Sequence, residues 1–206
     1  MGEKWGTPNR VYKPDRHIEF SLLVFSYKIR KLSFMCPFFC LVQVCFKAVM
    51  NMTTQSSQMD IKWELKAFSD LTLNQLYTIM SDRQAIFIVE QDCPFQDMDG
   101  LDSRSWHLTG AVNNRLVAYA RIVFPGVRYP NPSIGRVLTT QQVRGQGVGR
   151  LLMKEAVRHC CRLYPGRKIS LSAQIHLESF YEEFGFHRVS EPYDEDGIMH
   201  IDMEKN

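Results

Sequence analysis

The stretch VRGQGVGR, residues 143–150, decides how this chain is interpreted. It follows residues 134–140, a run that predicts a strand, and it overlaps the start of a predicted helix, residues 147–164. A glycine-rich turn between a strand and a helix aims backbone N–H groups and the positive helix end at an anion, usually a phosphate. The helix has one apolar face, formed by Val148, Leu151, Leu152, Ala156, Cys160 and Leu163.

The spacing of the glycines separates this turn from two common nucleotide-binding motifs. Gly145, Gly147 and Gly149 do not complete the dinucleotide fingerprint, because its last glycine would fall on Arg150. A Walker loop is also excluded, since no Gly-Lys-Ser/Thr sequence follows. Taken alone, the turn has two interpretations: a phosphate-binding loop, or a tight strand-to-helix turn that binds nothing.

From Met59 onward the chain has the pattern of a mixed α/β domain. Alternating apolar residues predict strands, and apolar residues at spacings of three and four predict helices. Asn113 and Asn114 divide residues 105–124 into two strands, because Asn tolerates the left-handed backbone of a tight hairpin turn. The other predicted strands are residues 61–68, 134–140, 168–174 and 198–203, and the predicted helices are one capped by Thr72, residues 147–164 and residues 177–184.

Composition narrows the class of function. The chain has 206 residues, 45% of them apolar and 23% charged, which is typical of a globular domain with or without an appendage. Residues 1–58 hold 8 basic and 3 acidic side chains, whereas residues 59–206 hold 17 and 19. A mildly acidic bulk argues against a nucleic-acid partner, whose recognition needs clustered basic residues. The six cysteines form neither a CxxC pair nor a metal-ligand spacing, so we expect reduced thiols, no metal and a cytoplasmic location.

Residues 1–58 differ in pattern from the remainder. Their longest uncharged run, residues 32–46, has 15 residues and contains Pro37. A membrane-spanning helix needs about 20 apolar residues, so we expect no stable membrane insertion, although a basic and aromatic segment can lie on an anionic membrane surface. We favour a misplaced start, with Met50, Met52 or Met59 as the true first residue. We therefore expect residues 1–58 to be a weakly structured extension that is not needed for function, and residues 59–206 to be the functional domain.

A second motif, ESFYEEFGF at residues 178–186, lies downstream of the first. Together, Arg144-x-x-Gly147-x-Gly149, a helix, a strand and this segment resemble the GNAT superfamily of acetyl-CoA-dependent N-acetyltransferases. VEQDCPFQDMDGLD, residues 89–102, and EDGIMHIDM, residues 195–203, resemble the ElaA group within that superfamily. Two motifs in the right order are much rarer by chance than either one alone.

The resemblance implies an α/β, mixed α+β class with the GNAT acyl-CoA N-acyltransferase fold, a mostly antiparallel twisted sheet splayed around the cofactor slot and flanked by helices. It also implies direct transfer of an acetyl group from acetyl-CoA to a primary amine in a ternary complex, without a metal. Tyr181 falls on the family's general acid, which protonates the departing thiolate. The implied cofactor contacts are Val137, Leu138, Thr139, Arg144, Gly145, Gln146, Gly147, Val148, Gly149, Arg150 and Gln174, the last at a position where many members have Asn.

The acceptor amine must lose a proton before it attacks, because free amines are mostly protonated at pH 7. An acidic set of side chains is available for this purpose. We expect Glu90 and Asp99 to act as base or acceptor contact, and Glu195 to contact the acceptor. His107 and His200 lie on predicted strands and receive no role, since a lone His there is more often a hydrogen-bonded structural group.

Three classes of function stay open, and one of them is a membrane-surface protein anchored by the N-terminal segment. The other two are the acetyltransferase and a non-catalytic acyl-CoA-binding module whose acidic loop serves a protein partner. The presence of Tyr181 favours the enzyme, because a pure binder does not need an acid for a leaving group. The acceptor is a small-molecule or protein amine, and a homodimer is an expectation because paired chains are common in this superfamily.

Overall fold

The computed structural model describes residues 59–206. The expectations about residues 1–58, an extension or a misplaced start, lie outside the described residues. Between residues 59 and 206, no helix is both long enough and apolar enough to cross a membrane.

Within this region, eight strands form one sheet in the order β1-β2-β3-β4-β5-β8-β6, and β7 pairs with β8. Neighbouring strands are antiparallel except β4 and β5, which are parallel. The mixed, mostly antiparallel sheet predicted from the sequence is confirmed. The strands are β1 Lys62–Ala67, β2 Ser105–Val112, β3 Arg115–Val123, β4 Ser133–Thr139, β5 Ile169–Gln174, β6 His187–Arg188, β7 Tyr193–Glu195 and β8 Ile198–Lys205.

Three α-helices flank the sheet in the described region: α1 Leu73–Arg83, α2 Val148–Leu163 and α3 Glu178–Glu182. The predicted cap of α1 is confirmed, because the Thr72 hydroxyl accepts from the Gln75 N–H and the Gln75 side chain reaches back to the Thr72 N–H. Helix α1 continues as a π-helical segment, Gln84–Glu90, to which the sequence pattern assigned no element.

Helix α3 is shorter than its prediction of residues 177–184. Its first predicted residue, Leu177, belongs to a preceding 3₁₀ turn, Ile175–Leu177. The helix ends at Glu182, and the chain then turns at Gly185, whose positive φ of 84° is adopted without strain only by glycine. The predicted hairpin turn between β2 and β3 is confirmed, because Asn113 and Asn114 both have positive φ, 50° and 61°.

The main core lies between α2 and the sheet. Helix α2 packs on β3 and β4, and its Leu152, Met153 and Ala156 are 0% exposed. A smaller apolar cluster lies on the other face of the sheet, where Ile79 and Ile86 pack near Tyr119 and Leu138. Because successive residues of a strand point to opposite faces, β3 contributes side chains to both clusters.

The contact between β4 and β5 determines where a cleft can open. These strands are paired through Ser133 and Ser170 alone, whereas β5 and β8 pair over six residue pairs. Beyond Ser133, β4 and β5 separate, and the cleft begins between them. The splay that the family resemblance implies is therefore present in the structure.

Replacing Leu152 with Ala is expected to lower the free energy of unfolding by about 2–5 kcal/mol, because it removes buried methyl groups and leaves a cavity between α2 and the sheet. Lys154→Ala on the exposed side of α2 is the matched control, with an expected change within about 0.5 kcal/mol. Urea unfolding of the full chain measures both. Equal effects would mean that this face of α2 is not buried in the core.

Candidate active site

The cleft between β4 and β5 brings together residues that are distant in sequence. Gly135 and Val137 of β4 line one wall, and Ser172 and Gln174 of β5 line the other. The π-helical segment Gln84–Glu90 contributes Phe87 and Ile88. Among its other lining residues are Tyr181 of α3, Glu195 of β7 and His200 of β8.

The glycine-rich loop precedes α2 and has an open surface. Gly145 and Gly147 have φ of 75° and 79°, in the left-handed region that glycine adopts without strain. A Cβ built on either would meet no other atom within 4 Å, so the space beside the loop is free. The positive end of α2, a helix of 16 residues that begins at Val148, faces this space.

Only part of the loop backbone is available to a ligand. Three N–H groups are already used: those of Arg144, Gln146 and Arg150 donate to carbonyls of Gln141, Val143 and Gly147. The other four N–H groups of the loop, those of Gly145, Gly147, Val148 and Gly149, have no backbone partner within the described residues. For Val148 and Gly149 the reason is that the first turn of a helix leaves its donors unpaired. Of the seven consecutive residues that the resemblance implies as cofactor contacts, these four have a backbone N–H group available to a ligand.

The two arginines of the loop are paired with carboxylates. Arg144 Nη1 lies 2.6 Å from Glu90 Oε1, and Arg150 Nε lies 2.7 Å from Glu183 Oε2. Hydrogen bonding from Arg144 lowers the pKa of Glu90. Glu90 does not line the cleft. We therefore replace the expectation that Glu90 is a base or acceptor contact, because the structure makes it the partner of Arg144.

Tyr181 lies in the wall of the cleft and is 7% exposed. Its ring packs edge-on against Phe180 and Phe186. Burial raises the pKa of Tyr181 to about 12, so the phenol keeps its proton at neutral pH.

Strand β4 contains a bulge beside the cleft. Tyr119 pairs with Leu138 and Arg121 pairs with Gly135, so two residues of β4, Arg136 and Val137, oppose Ala120 alone. Arg136 has φ of 51°, uncommon for a residue with a side chain. The bulge interrupts the backbone ladder where β4 borders the cleft. Of the three expected contacts on this strand, the side chain of Val137 lines the cleft, whereas Leu138 is buried on the α1 side of the sheet and the Thr139 carbonyl accepts from Arg144 Nε.

A buried ionic cluster holds the loop that follows the π-helical segment. Asp97 accepts from Arg83 and Arg136, at 2.7 and 2.6 Å, and Asp102 accepts from Arg83 and Arg121, at 2.6 and 2.9 Å. Arg83 and Arg121 are at most 1% exposed. Buried charges are tolerated when they are paired and hydrogen-bonded in this way.

Asp99 belongs to the same cluster. Its carboxylate lies 2.5 Å from Arg121 Nη2 and 3.4 Å from Arg136 Nη2. Burial alone would raise the pKa of Asp99, but the hydrogen bonds and charge of Arg121 outweigh it and lower the pKa to about 2. A carboxylate with so low a pKa is a weak base, so we replace the expectation that Asp99 removes the proton of the acceptor.

Glu195 lies in the cleft, as expected for a contact with the acceptor. Arg128 Nη2 lies 3.0 Å from Glu195 Oε1, and the Ser172 hydroxyl donates to Oε2 at 3.2 Å. Gln174 also reaches the cleft, and its Nε2 donates to Gln91 Oε1 at 3.3 Å.

The two histidines without an assigned role have different surroundings. His107 is 0% exposed and lies between the Tyr119 hydroxyl and the Asp102 carbonyl, which agrees with a structural role. His200 lines the cleft, although the sequence analysis assigned it no role there. The signal was its place within EDGIMHIDM, but only the pairing of β8 with β5 brings that strand to the cleft.

Comparison with known proteins assigns the chain to a family. The model of the acetyltransferase (GNAT) domain family matches residues 72–206. The chain belongs to the GNAT acetyltransferase family. The GNAT match spans the glycine-rich loop, the bulged strand and Tyr181, and it identifies the chain as an acyltransferase of the acyl-CoA N-acyltransferase fold.

Individual GNAT relatives agree with this assignment. A UPF0039 protein of Synechocystis is 47% identical over 146 residues, which is 70% of this chain and 95% of that protein. The crystal structure of an acyl-CoA N-acyltransferase from Pseudomonas aeruginosa has a TM-score of 0.69 and 40% identity, and the match covers 71% of this chain and 100% of that chain. The crystal structure of Escherichia coli ElaA has a TM-score of 0.67 and 41% identity, and the match covers 71% of this chain and 99% of that chain.

Replacing Gly147 with Val is expected to weaken coenzyme A binding by roughly tenfold or more, about 1.4 kcal/mol, because the new side chain strains a left-handed backbone and enters the free space beside the loop. Gly166→Val is the matched control, since Gly166 has φ of 72° and open space but follows the far end of α2. Calorimetric titration measures both. Retained affinity in the Gly147 variant would place the phosphates elsewhere.

The low pKa of Asp99 makes a prediction about acid stability. Because its pKa is depressed in the folded protein, the ionised carboxylate stabilises the fold above about pH 4, and this contribution is lost as the pH falls toward 2. The Asp99→Asn variant is expected to lose less stability over this range than the unmodified protein, as measured by urea unfolding at several pH values. Parallel losses would show that Asp99 is not held by Arg121.

Proposed function

We propose that this protein transfers an acetyl group from acetyl-CoA directly to a primary amine while both are bound. The observation that carries the proposal is the cleft between β4 and β5, which Tyr181 lines, together with the glycine-rich loop at the start of α2, whose Gly149 lies next to Phe180, the neighbour of Tyr181. A proton donor, a place for a thioester and donors for a phosphate are what acyl transfer from coenzyme A requires.

In this proposal the loop binds the pyrophosphate of the donor substrate. The unpaired N–H groups of Gly145, Gly147, Val148 and Gly149 supply hydrogen bonds at the positive end of α2. Arg144 and Arg150 are exposed enough to exchange their carboxylate partners for phosphate oxygens. Gln146 contributes through the shape of the turn, because its side chain donates to the Gln142 carbonyl.

The pantetheine arm would lie along β4. The bulge at Arg136 and Val137 interrupts the ladder with β3, which supports a backbone N–H from this part of β4 as the group that polarises the thioester carbonyl. Val137, Leu138 and Thr139 would then offer their backbone to the arm as an additional strand does. Gln174, on the opposite wall, would contact the donor from β5.

Tyr181 would donate a proton to the departing thiolate. Burial disfavours a phenolate, and it disfavours a thiolate emerging in the same cleft for the same reason, so protonation of the sulfur is needed for it to leave. The Tyr181 hydroxyl forms no hydrogen bond with another residue of the described region, and it is therefore free to bond to a substrate.

Glu195 would hold the ammonium group of the acceptor before the transfer. It lines the cleft on the side formed by β7 and β8, away from the glycine-rich loop, so donor and acceptor would approach from different sides. We also propose residues 59–206 as the transferase domain. Three cysteines of this region, Cys93, Cys160 and Cys161, are free thiols, which supports a cytoplasmic place of action.

A non-catalytic acyl-CoA-binding module is the second candidate. Under that hypothesis, the segment of residues 89–102 would serve a protein partner. However, Asp97 and Asp102 in this segment are buried, and Asp99 is paired with the buried Arg121. The enzyme is the better-supported function.

The Tyr181→Phe variant is expected to lose roughly 10²–10⁴-fold in turnover while its affinity for acetyl-CoA changes little, because only the hydroxyl is removed. Tyr77→Phe is the control, since Tyr77 is 78% exposed and lies outside the cleft. Calorimetric titration of the full chain with acetyl-CoA and an assay of released thiol over a panel of amines measure the two effects.

The outcomes separate the candidates. Unchanged turnover in the Tyr181 variant would remove this residue from the mechanism. Binding without transfer to any amine would favour the acyl-CoA-binding module, and a failure of the unmodified protein to bind acetyl-CoA would refute the proposal.

A further inference from the structure

The proposed reaction needs a group that takes a proton from the acceptor, because an amine that carries its positive charge has no lone pair with which to attack. Of the two carboxylates expected from the sequence, Glu90 does not line the cleft, and Asp99 is held by Arg121. The base must therefore be sought among the other groups that line the cleft.

We infer that His200 is this base, and the inference rests on the proposed function. His200 lies on β8, directly opposite Gln174 of β5, and lines the same cleft as Tyr181. Its side chain is 14% exposed, so it is largely shielded and still reachable from the cleft.

The hydrogen bonding of the ring determines which nitrogen is available. His200 Nδ1 lies 2.7 Å from the carbonyl oxygen of Ile198. A carbonyl oxygen only accepts, so Nδ1 carries the proton in this contact, and in the neutral ring Nε2 has the lone pair. Nε2 forms no hydrogen bond with any residue in the described part of the chain, so it is free to accept a proton from a bound amine.

Neighbouring groups surround the ring of His200. The Tyr193 ring stacks on the imidazole, with centroids 6.3 Å apart and an interplanar angle of 27°. Glu195 Oε2 lies 3.9 Å from Nδ1, so a carboxylate lies beside the nitrogen that donates to Ile198. Asp196 adds a second carboxylate to the cleft, and Arg128, paired with Glu195, is the cation on that side.

The remaining candidates along the cleft are less suited to the task. Asp97 is held by two guanidinium groups, and Glu195 is engaged by Arg128 and Ser172. Burial and its hydrogen bond to Asp202 raise the pKa of Tyr129, so its phenol stays protonated. Cys93 Sγ lies 3.9 Å from the Asp196 carbonyl, to which the thiol donates. His200 Nε2, in contrast, is a ring nitrogen of the cleft that has no hydrogen-bond partner in the described region.

The proton and electron balance of the step is simple. The ammonium group gives one proton to His200 Nε2, and the freed lone pair forms the C–N bond at the thioester carbon. The C–S bond then breaks, the sulfur takes the proton of Tyr181, and the nitrogen gives up its second proton, which restores the phenol through solvent. His200 releases its proton to solvent, so one proton leaves for each amide formed.

The test compares two amines that differ in how readily they lose a proton. Replacing His200 with Gln removes the base and keeps a polar side chain. With a primary alkylamine at pH 7, we expect kcat to fall roughly 10²–10⁴-fold, with little change in the KM for acetyl-CoA. With methoxyamine, which is already neutral at pH 7, we expect a loss of less than about tenfold. For the alkylamine, the loss should shrink as the pH rises, because the amine then arrives without its extra proton.

The matched control is His187→Gln on β6, an exposed histidine outside the cleft, which should leave both rates unchanged. Equal losses with the two amines, or a loss that does not depend on pH, would overturn the inference and leave His200 with a structural role.

A second measurement does not depend on turnover. Nuclear magnetic resonance of the full chain with ¹⁵N-labelled histidine, assigned by comparison with the His200→Gln variant, reports the neutral tautomer. We expect the proton on Nδ1, and a proton on Nε2 would overturn the inference even if the transfer reaction is found. If the unmodified protein fails to bind acetyl-CoA, the proposed function fails, and the tautomer still decides whether His200 offers a free Nε2.

Discussion

The parting of two neighbouring strands is the constraint on which the rest of this structure depends. β4 and β5 are parallel and meet through one residue pair, Ser133 with Ser170, before they separate. Separated strands leave backbone groups on their facing edges without partners, and such groups need a ligand or water. The cleft therefore combines backbone donors with a lining of both polar and apolar side chains, and α3 and β8 contribute side chains to the same opening.

The buried ionic cluster stabilises the region beside this cleft. Asp97, Asp99 and Asp102 bring the loop after the π-helical segment against β3 and β4, where Arg121 and Arg136 reside. Arg136 has a left-handed backbone at the bulge, and its ion pairs with Asp97 and Asp99 help to hold it there. The same pairs explain why these carboxylates are poor bases: a charge that holds the strand in place is not free to exchange a proton.

Much of the fold follows from local patterns in the sequence. The Thr72 cap, the Asn113-Asn114 turn and the amphipathic helix α2 were predicted because each depends on residues close together in the chain. The π-helical segment and the short strands β6 and β7 were not predicted, since their apolar patterns are too short to distinguish a helix from a strand. For the site, the loop and Tyr181 were chosen from motifs, whereas Glu90 and Asp99 were chosen by residue type and have arginine partners that no local pattern reveals.

The sequence by itself determined the class of fold, the family and the candidate residues for binding the donor, because the glycines of the loop and the segment containing Tyr181 are contiguous and have their own spacing. The tertiary structure decided which groups lie together where we propose that the acceptor binds, because these groups come from β5, β7, β8 and the loop after β3, which meet only when the sheet forms. Whether a carboxylate or an imidazole keeps a free lone pair depends on its partners across the sheet. Those partners assign Asp99 to the ionic cluster and leave His200 Nε2 unpaired within the described residues.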